Sequence, residues 1–203
     1  MLLKIYDILY RTFGSQRWWP VTSKNKQFEV VIGAILTQNT SWKNVEKAIS
    51  NLRKEKLIDA DKIRKTNVRK LAKLIKPSGY FNQKARRLKI AAEFFLKNKN
   101  PNREELLQVK GIGPETADSI LLYAYNKPFF VVDLYTKRIM SRIGLCRADA
   151  GYDEIQEMFH RLSRDARMFN EYHALLVELA KQHCMKKPEC RGCPVYRQCK
   201  RFI

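Results

Sequence analysis

The stretch "QVKGIGPETADSIL", residues 108–121, decides how the chain folds. Upstream of it, Pro101 precedes Asn102 and Glu105 follows three residues on, the spacing of a capping box that opens a helix over 103–109. Gly111 and Gly113 then break that helix in a tight turn. Pro114 restarts a helix at its first position, where the amide that proline lacks would have had no partner. Residues 102–126 therefore read as helix, hairpin, helix. No side chain shields the amides of Gly111 and Gly113, and the second helix adds the positive end of its dipole. Lys110, Gly111, Ile112 and Gly113 become candidate contacts to a phosphate, which such a turn grips without reading a base. A G-x-G-P turn also serves as a plain helix connection, so its surroundings must give it meaning.

Those surroundings are basic. Of 203 residues, 40 are Lys or Arg and 20 are Asp or Glu, a net charge of +20. The basic residues run along the whole chain, so a folded surface carries them, and a field of that sign points to nucleic acid or an anionic membrane surface. No run reaches the roughly 18 apolar residues that would span a bilayer. "MLLKIYDILYRTFG", residues 1–14, reads as an amphipathic helix ending at Gly14 and lacks a signal-peptide cleavage site, so the expected location is intracellular. Helical periodicity recurs over 28–36, 43–56, 68–75, 84–97, 114–125, 134–143, 152–163 and 169–183, while strand signals are scarce. The expected fold class is all-α, with about ten helices and no internal repeat.

Two groups of side chains carry chemistry. Asp133 stands twenty residues after Gly113, in "VVDLYTKRI", where it starts another amphipathic helix. It reads as an N-cap, and a capped aspartate is also an ionised carboxylate aimed outward from the helix start. Glu115 and Asp118, early in the helix after the hairpin, read as acids that favour its dipole, Asp118 the more so. The second group is Cys184, Cys190, Cys193 and Cys199, in the pattern C-x5-C-x2-C-x5-C. Four thiols this close in a reducing compartment suit metal binding better than disulfides. A single C-x2-C flanked by longer loops suits a [4Fe–4S] cluster, with zinc, which favours paired knuckles, as the alternative. Lys181, Lys186, Lys187, Arg191, Arg197, Lys200 and Arg201 surround these cysteines against the single acid Glu189, so a loop fixed by metal would be a ready phosphate contact. Cys146 reads as a small buried hydrophobe. His160, His173 and His183 show no metal spacing and no nucleophile partner, and solvated or hydrogen-bonded helix positions suffice for them.

Together the hairpin, the aspartate and the four-cysteine loop resemble the endonuclease III superfamily of DNA base-excision glycosylases, over essentially the whole chain. The resemblance implies two helical domains with the catalytic cleft between them. One is a six-helix domain over 22–131 that holds the hairpin. The other joins 1–21 to 132–203 and carries the iron–sulfur loop, 184–199. "ILTQNT", residues 35–40, looks like the family segment whose glutamine, here Gln38, inserts into the DNA stack. The first cysteine gap is five residues where the family usually has six. Glu115 is the larger departure. Bifunctional members carry a lysine there, whose amine attacks the sugar C1′ to form a Schiff base. A carboxylate forms no imine, so the resemblance implies a glycosylase without that strand-cleaving lyase step, unless Lys110 substitutes.

"WWP" (18–20), "LTQNTSW" (36–42), "PSGYFNQKARRL" (77–88), "KGIGPETADSILLYA" (110–124) and "VELAKQ" (177–182) look like the 3-methyladenine DNA glycosylase branch. In that branch a glutamate stands at the lysine position. Its base pocket would be lined here by Trp18, Trp19, Pro20 and Trp42, with Lys181 beside it. Members of that branch can lack the cysteine loop, so this chain looks intermediate. The resemblance implies that a damaged base is turned out of the duplex and that Gln38 fills the gap. Tryptophan faces would attract a positively charged N3- or N7-methylated purine by about 0.5–2 kcal/mol. Asp133 would stabilise the oxocarbenium-like sugar and help water attack C1′. Glu115 would be a second acid near that centre, and two carboxylates so close would push one pKa up. The expected function is a monomeric, nucleoid-associated, monofunctional glycosylase that removes alkylated purines, chiefly 3-methyladenine, from double-stranded DNA. The alternatives are a thymine or uracil mismatch glycosylase, a bifunctional oxidised-pyrimidine glycosylase with lyase activity, and a non-catalytic helix–hairpin–helix DNA-binding module.

Overall fold

The computed structural model describes residues 1–201, and among them the secondary structure is helical throughout. In chain order the α-helices are α1 (Leu2–Phe13), α2 (Lys26–Leu36), α3 (Trp42–Lys54), α4 (Ala60–Lys65), α5 (Val68–Leu74) and α6 (Phe81–Lys97). The hairpin follows in α7 (Arg103–Leu107) and α8 (Pro114–Tyr125), and then come α9 (Leu134–Ile143), α10 (Tyr152–Leu162) and α11 (Ala166–Gln182). The all-α expectation holds. α4 escaped the sequence because six residues show no period; Asp59 starts it by accepting the Lys62 amide at 2.9 Å.

The chain forms two compact units, Pro20–Tyr125 and a second made of Met1–Trp19 with the chain from Asn126 onward. In the Pro20–Tyr125 unit, α2 is the centre. Every residue from Phe28 to Leu36 is buried, as expected of a helix that is apolar nearly all round. α8, α6 and α3 pack against it, and α4 and α5 cover α6. One buried residue of α2 is an acid, Glu29, whose carboxylate accepts the Ser23 amide at 2.7 Å and the Thr22 amide at 3.2 Å. Burial alone would raise its pKa, but the bonds from Ser23 and Thr22 outweigh it and hold the group below the usual range.

Lys84 of α6 is only 1 % exposed. Its Nζ donates to the carbonyls of Leu36, at 2.8 Å, and Ser78, at 2.7 Å, so a cation closes the C-terminal end of α2. Burial, reinforced by the charge of Arg87, lowers its pKa to about 8. On unfolding it returns to about 10.4, so between those values the unfolded chain holds more protons than the folded one, and stability rises with pH. Urea unfolding at a series of pH values should show the wild type gaining up to about 2 kcal/mol from pH 8 to pH 10. Lys84→Met should lack that gain.

In the second unit, α1 and α9 pack on α11, and Tyr172 of α11 donates its hydroxyl to the Leu2 carbonyl at 2.8 Å. Its core is aromatic. The Phe130 ring stacks on Phe159 with centroids 3.6 Å apart and meets Phe169 edge-on at 5.4 Å. Residues 126–131, assigned from sequence to the six-helix domain, therefore cluster with this unit instead. α10 also fixes the Phe130 backbone. The Phe130 amide donates to His160 Nε2 at 3.1 Å, and Gln156 donates to the Phe130 carbonyl at 2.7 Å. The segment leading to Asp133 is thus clamped on both backbone edges, and His160 serves as a specific acceptor.

Candidate active site

The hairpin forms as its sequence directs. The Asn102 side chain accepts the Glu105 amide at 2.8 Å, and Glu105 accepts the Asn102 amide at 2.8 Å. Gly111 adopts φ +93°, a left-handed conformation that side chains disfavour. A Cβ there would also lie 2.6 Å from Cδ of Arg87, whose stem passes against the hairpin. Ile112 is buried and anchors the turn, whereas Lys110, Gly113 and Glu115 are exposed. Asp118 departs from its reading as a dipole-favouring acid. It is 0 % exposed and accepts two bonds from Arg103, at 2.8 and 3.1 Å. It locks α7 to α8 as a buried, bidentate ion pair.

Gln38, expected to reach into DNA, lies against the hairpin. Its Nε2 donates to the Gly111 carbonyl and to Thr116 Oγ1, both at 3.1 Å, and its Oε1 accepts from Arg87 Nη1. Trp42, the first residue of α3, is half-buried and donates its indole N–H to Glu46 at 3.0 Å. The sequence patterns do not single out Tyr80. It is 66 % exposed, with φ +44°, at the start of α6, and offers a bare ring on which a base could stack. Its place after Gly79 in a short turn was the available signal.

In the second unit, Asp133 caps α9, its Oδ1 accepting the Thr136 amide at 2.7 Å. Its other oxygen faces Nε2 of the buried His173 at 3.6 Å, an ion pair when the imidazole is protonated. Burial would raise this carboxyl, but His173 and the Thr136 amide outweigh that and hold its pKa below the usual carboxylate range. Asp133 is therefore an ionised group, not the raised member of a carboxylate pair. The sequence does not pair His173 with Asp133, because the two stand forty positions apart, Asp133 capping α9 and His173 within α11. Trp18 and Trp19 meet edge to face at 5.7 Å, and Lys181 Nζ lies 5.9 Å from the Trp18 ring centroid. Pro20, the first residue of the other unit, is exposed.

Cys184, Cys190, Cys193 and Cys199 line one cavity whose walls include Ile139, Leu179 and Val195. Arg142 of α9 donates to Cys184 Sγ at 3.4 Å and to the Met185 carbonyl at 2.6 Å, and Arg138 donates to the Cys184 carbonyl at 2.8 Å. Burial pushes the Cys193 and Cys199 thiols up, and the neighbouring cysteines push the same way. Among the described residues, no three Cys, His, Asp or Glu side chains stand in a group that could hold a metal ion. A four-iron cluster does not need that arrangement, since each thiolate binds a different iron. The four sulfurs in one apolar cavity fit such a group, because bound cations offset the charge repulsion that keeps crowded, buried thiols protonated. All seven basic residues around the loop are exposed. Cys146 is half-buried, and its thiol is raised chiefly by burial.

Residues 32–164, which hold both the hairpin and Asp133, match the HhH-GPD superfamily base excision DNA repair protein family. The chain belongs to the HhH-GPD superfamily. This HhH-GPD protein is a base excision repair DNA glycosylase with an endonuclease III-like fold. It is similar to a provisionally named DNA repair glycosylase of Methanocaldococcus jannaschii, 47 % identical over 98 % of this chain and 96 % of that one. Among solved structures it is similar to the H. pylori 3-methyladenine DNA glycosylase bound to 1,N6-ethenoadenine, with a TM-score of 0.80 and 31 % identity over 89 % of this chain and 97 % of that one. A trapped endonuclease III–DNA covalent intermediate matches with a TM-score of 0.87 over 99 % of this chain and 96 % of that one, and at 22 % identity it shows the fold alone. No helix among the described residues is long and apolar enough to cross a membrane.

Proposed function

We propose that this HhH-GPD glycosylase releases alkylated purines such as 3-methyladenine by water attack, without a lyase step. The observation that carries the reading is Glu115, exposed on the first turn of α8, at the position that the sequence resemblance matches to the lysine of bifunctional members. A carboxylate has no amine lone pair with which to attack C1′. The likeness to a 3-methyladenine glycosylase over nearly all of that protein supports the substrate class. The Gly111–Gly113 amides and Lys110 hold a phosphate, and the target base leaves the stack with Gln38 filling its place. As the C1′–N bond breaks, the base departs with the electron pair, and the ionised Asp133 carboxylate stabilises the positive sugar. Water then bonds to C1′ and passes its proton to the Asp133 carboxylate, and Glu115 supports the electrostatics of that step without a covalent bond. Trp18, Trp19 and Trp42 supply flat surfaces for the extruded base.

Cys184, Cys190, Cys193 and Cys199 would hold a [4Fe–4S] cluster, and what the cluster supplies is a covalent tie that shapes the basic loop. Purified protein should contain about four irons and four inorganic sulfides per chain and absorb visible light. A single zinc and a colourless sample would contradict the assignment.

One observation favours a second reading. Lys181 already sets a cation near the face of Trp18, and a positively charged methylpurine there would meet like charge. A neutral base, such as thymine or uracil opposite guanine, would not. A panel of duplexes carrying 3-methyladenine, uracil or thymine opposite guanine, and oxidised pyrimidines decides between them. Fastest release of the methylated purine is expected; faster release of mismatched thymine would overturn the substrate assignment.

A further inference from the structure

In this structure the Gln38 amide is engaged on both sides, and the chemistry of its partners fixes which way it points. Arg87 only donates, so it takes Oε1; the Gly111 carbonyl only accepts, so it takes Nε2, whose second proton goes to Thr116. The turn that carries Gln38 is tied down separately, since Lys84, three residues before Arg87 on α6, binds the Leu36 carbonyl at 2.8 Å. Because Gly111 has no Cβ, the Arg87 stem runs against the hairpin, and its guanidinium arrives beside the amide. α6, the 37–40 turn and the hairpin thus meet at one side chain.

We infer that Arg87 is a positioning residue that parks Gln38 on the hairpin, so that Gln38 enters a duplex only by giving up its bonds to Arg87, Gly111 and Thr116. The inference rests on the proposed gap-filling role of Gln38 and adds a competing, protein-bound state. Parked and inserted states then share one equilibrium, and weakening the parked state favours insertion.

The test uses the full-length protein, at saturating concentration, on a duplex with 2-aminopurine at the target position, whose fluorescence rises as it leaves the stack. Arg87→Met keeps an unbranched stem beside Gly111 and removes the donors. It should raise the ratio of extruded to stacked base by about tenfold, the worth of one hydrogen bond to a charged group. Thr116→Val should shift the ratio in the same direction. Both gains should vanish when Gln38→Ala is added. Loss of folding lowers this signal, so a gain from two separate sites cannot come from damage. If Gln38→Ala lowers extrusion but Arg87→Met and Thr116→Val do not raise it, the parking role is wrong and gap filling stands. If Gln38→Ala extrudes as well as the parent, the gap-filling role itself is wrong and the inference falls with it.

Discussion

Asp133→Asn should release a methylated base at least about a thousandfold more slowly than the parent, while binding the same duplex and melting within a few degrees of it. Asparagine caps a helix about as well as aspartate, so the bond to the Thr136 amide and the start of α9 survive. What disappears is the negative charge that balances the sugar cation. The expected pH dependence has a definite sign. The carboxyl is held below its usual range by His173 and Thr136, so activity on the acid side should persist down to about pH 4, where an ordinary aspartate would already be half protonated. The stability that the depressed pKa contributes is fully present above the unfolded value of about 3.9, and is lost as pH falls through the folded one. Single-turnover base release across pH checks both points. An asparagine variant within tenfold of the parent would remove Asp133 from the chemistry.

The second large effect is on stability. Arg103→Ala should cost about 3–5 kcal/mol, because it leaves the fully buried Asp118 carboxylate without its bidentate partner. For a chain of this size that is a fall of about 10 °C in Tm. The double variant Arg103→Met, Asp118→Leu should recover most of the loss, since neither charge then remains to be satisfied. The pair joins the two helices of the hairpin, so the single variant should also weaken duplex binding at temperatures where the protein remains folded. Thermal melting together with salt-dependent DNA titration reads both. A single variant as stable as the wild type would mean that the ion pair contributes nothing to the hairpin.

How far each feature was legible follows from the range of the interaction that makes it. The hairpin is local. Asn102, Glu105, Gly111 and Pro114 each act within a few residues of themselves, and the structure has their capping box and positive φ where the sequence puts them. α2 was legible as a helix, from the periodicity over 28–36, but not as the buried centre of its unit. Asp118 misled because an acid near a helix start has an adequate local explanation, and nothing in the sequence shows Arg103 folding back fifteen residues to meet it. Lys84 looked like one more basic surface residue among forty, yet the carbonyls of Leu36 and Ser78 draw it inside. The same limit hid the pairing of Asp133 with His173, the placement of Lys181 by Trp18, and the hold of Arg87 on Gln38. Each is a tertiary contact between residues whose local patterns are ordinary.

The chemistry turns on what stands at position 115. Incubating the protein with a 3-methyladenine duplex in the presence of borohydride, then resolving protein, strand and free base, tests it most directly. Released base, an intact strand bearing an abasic site, and no protein linked to DNA are expected. A borohydride-stable protein–DNA complex, which only an imine can give, would contradict that expectation.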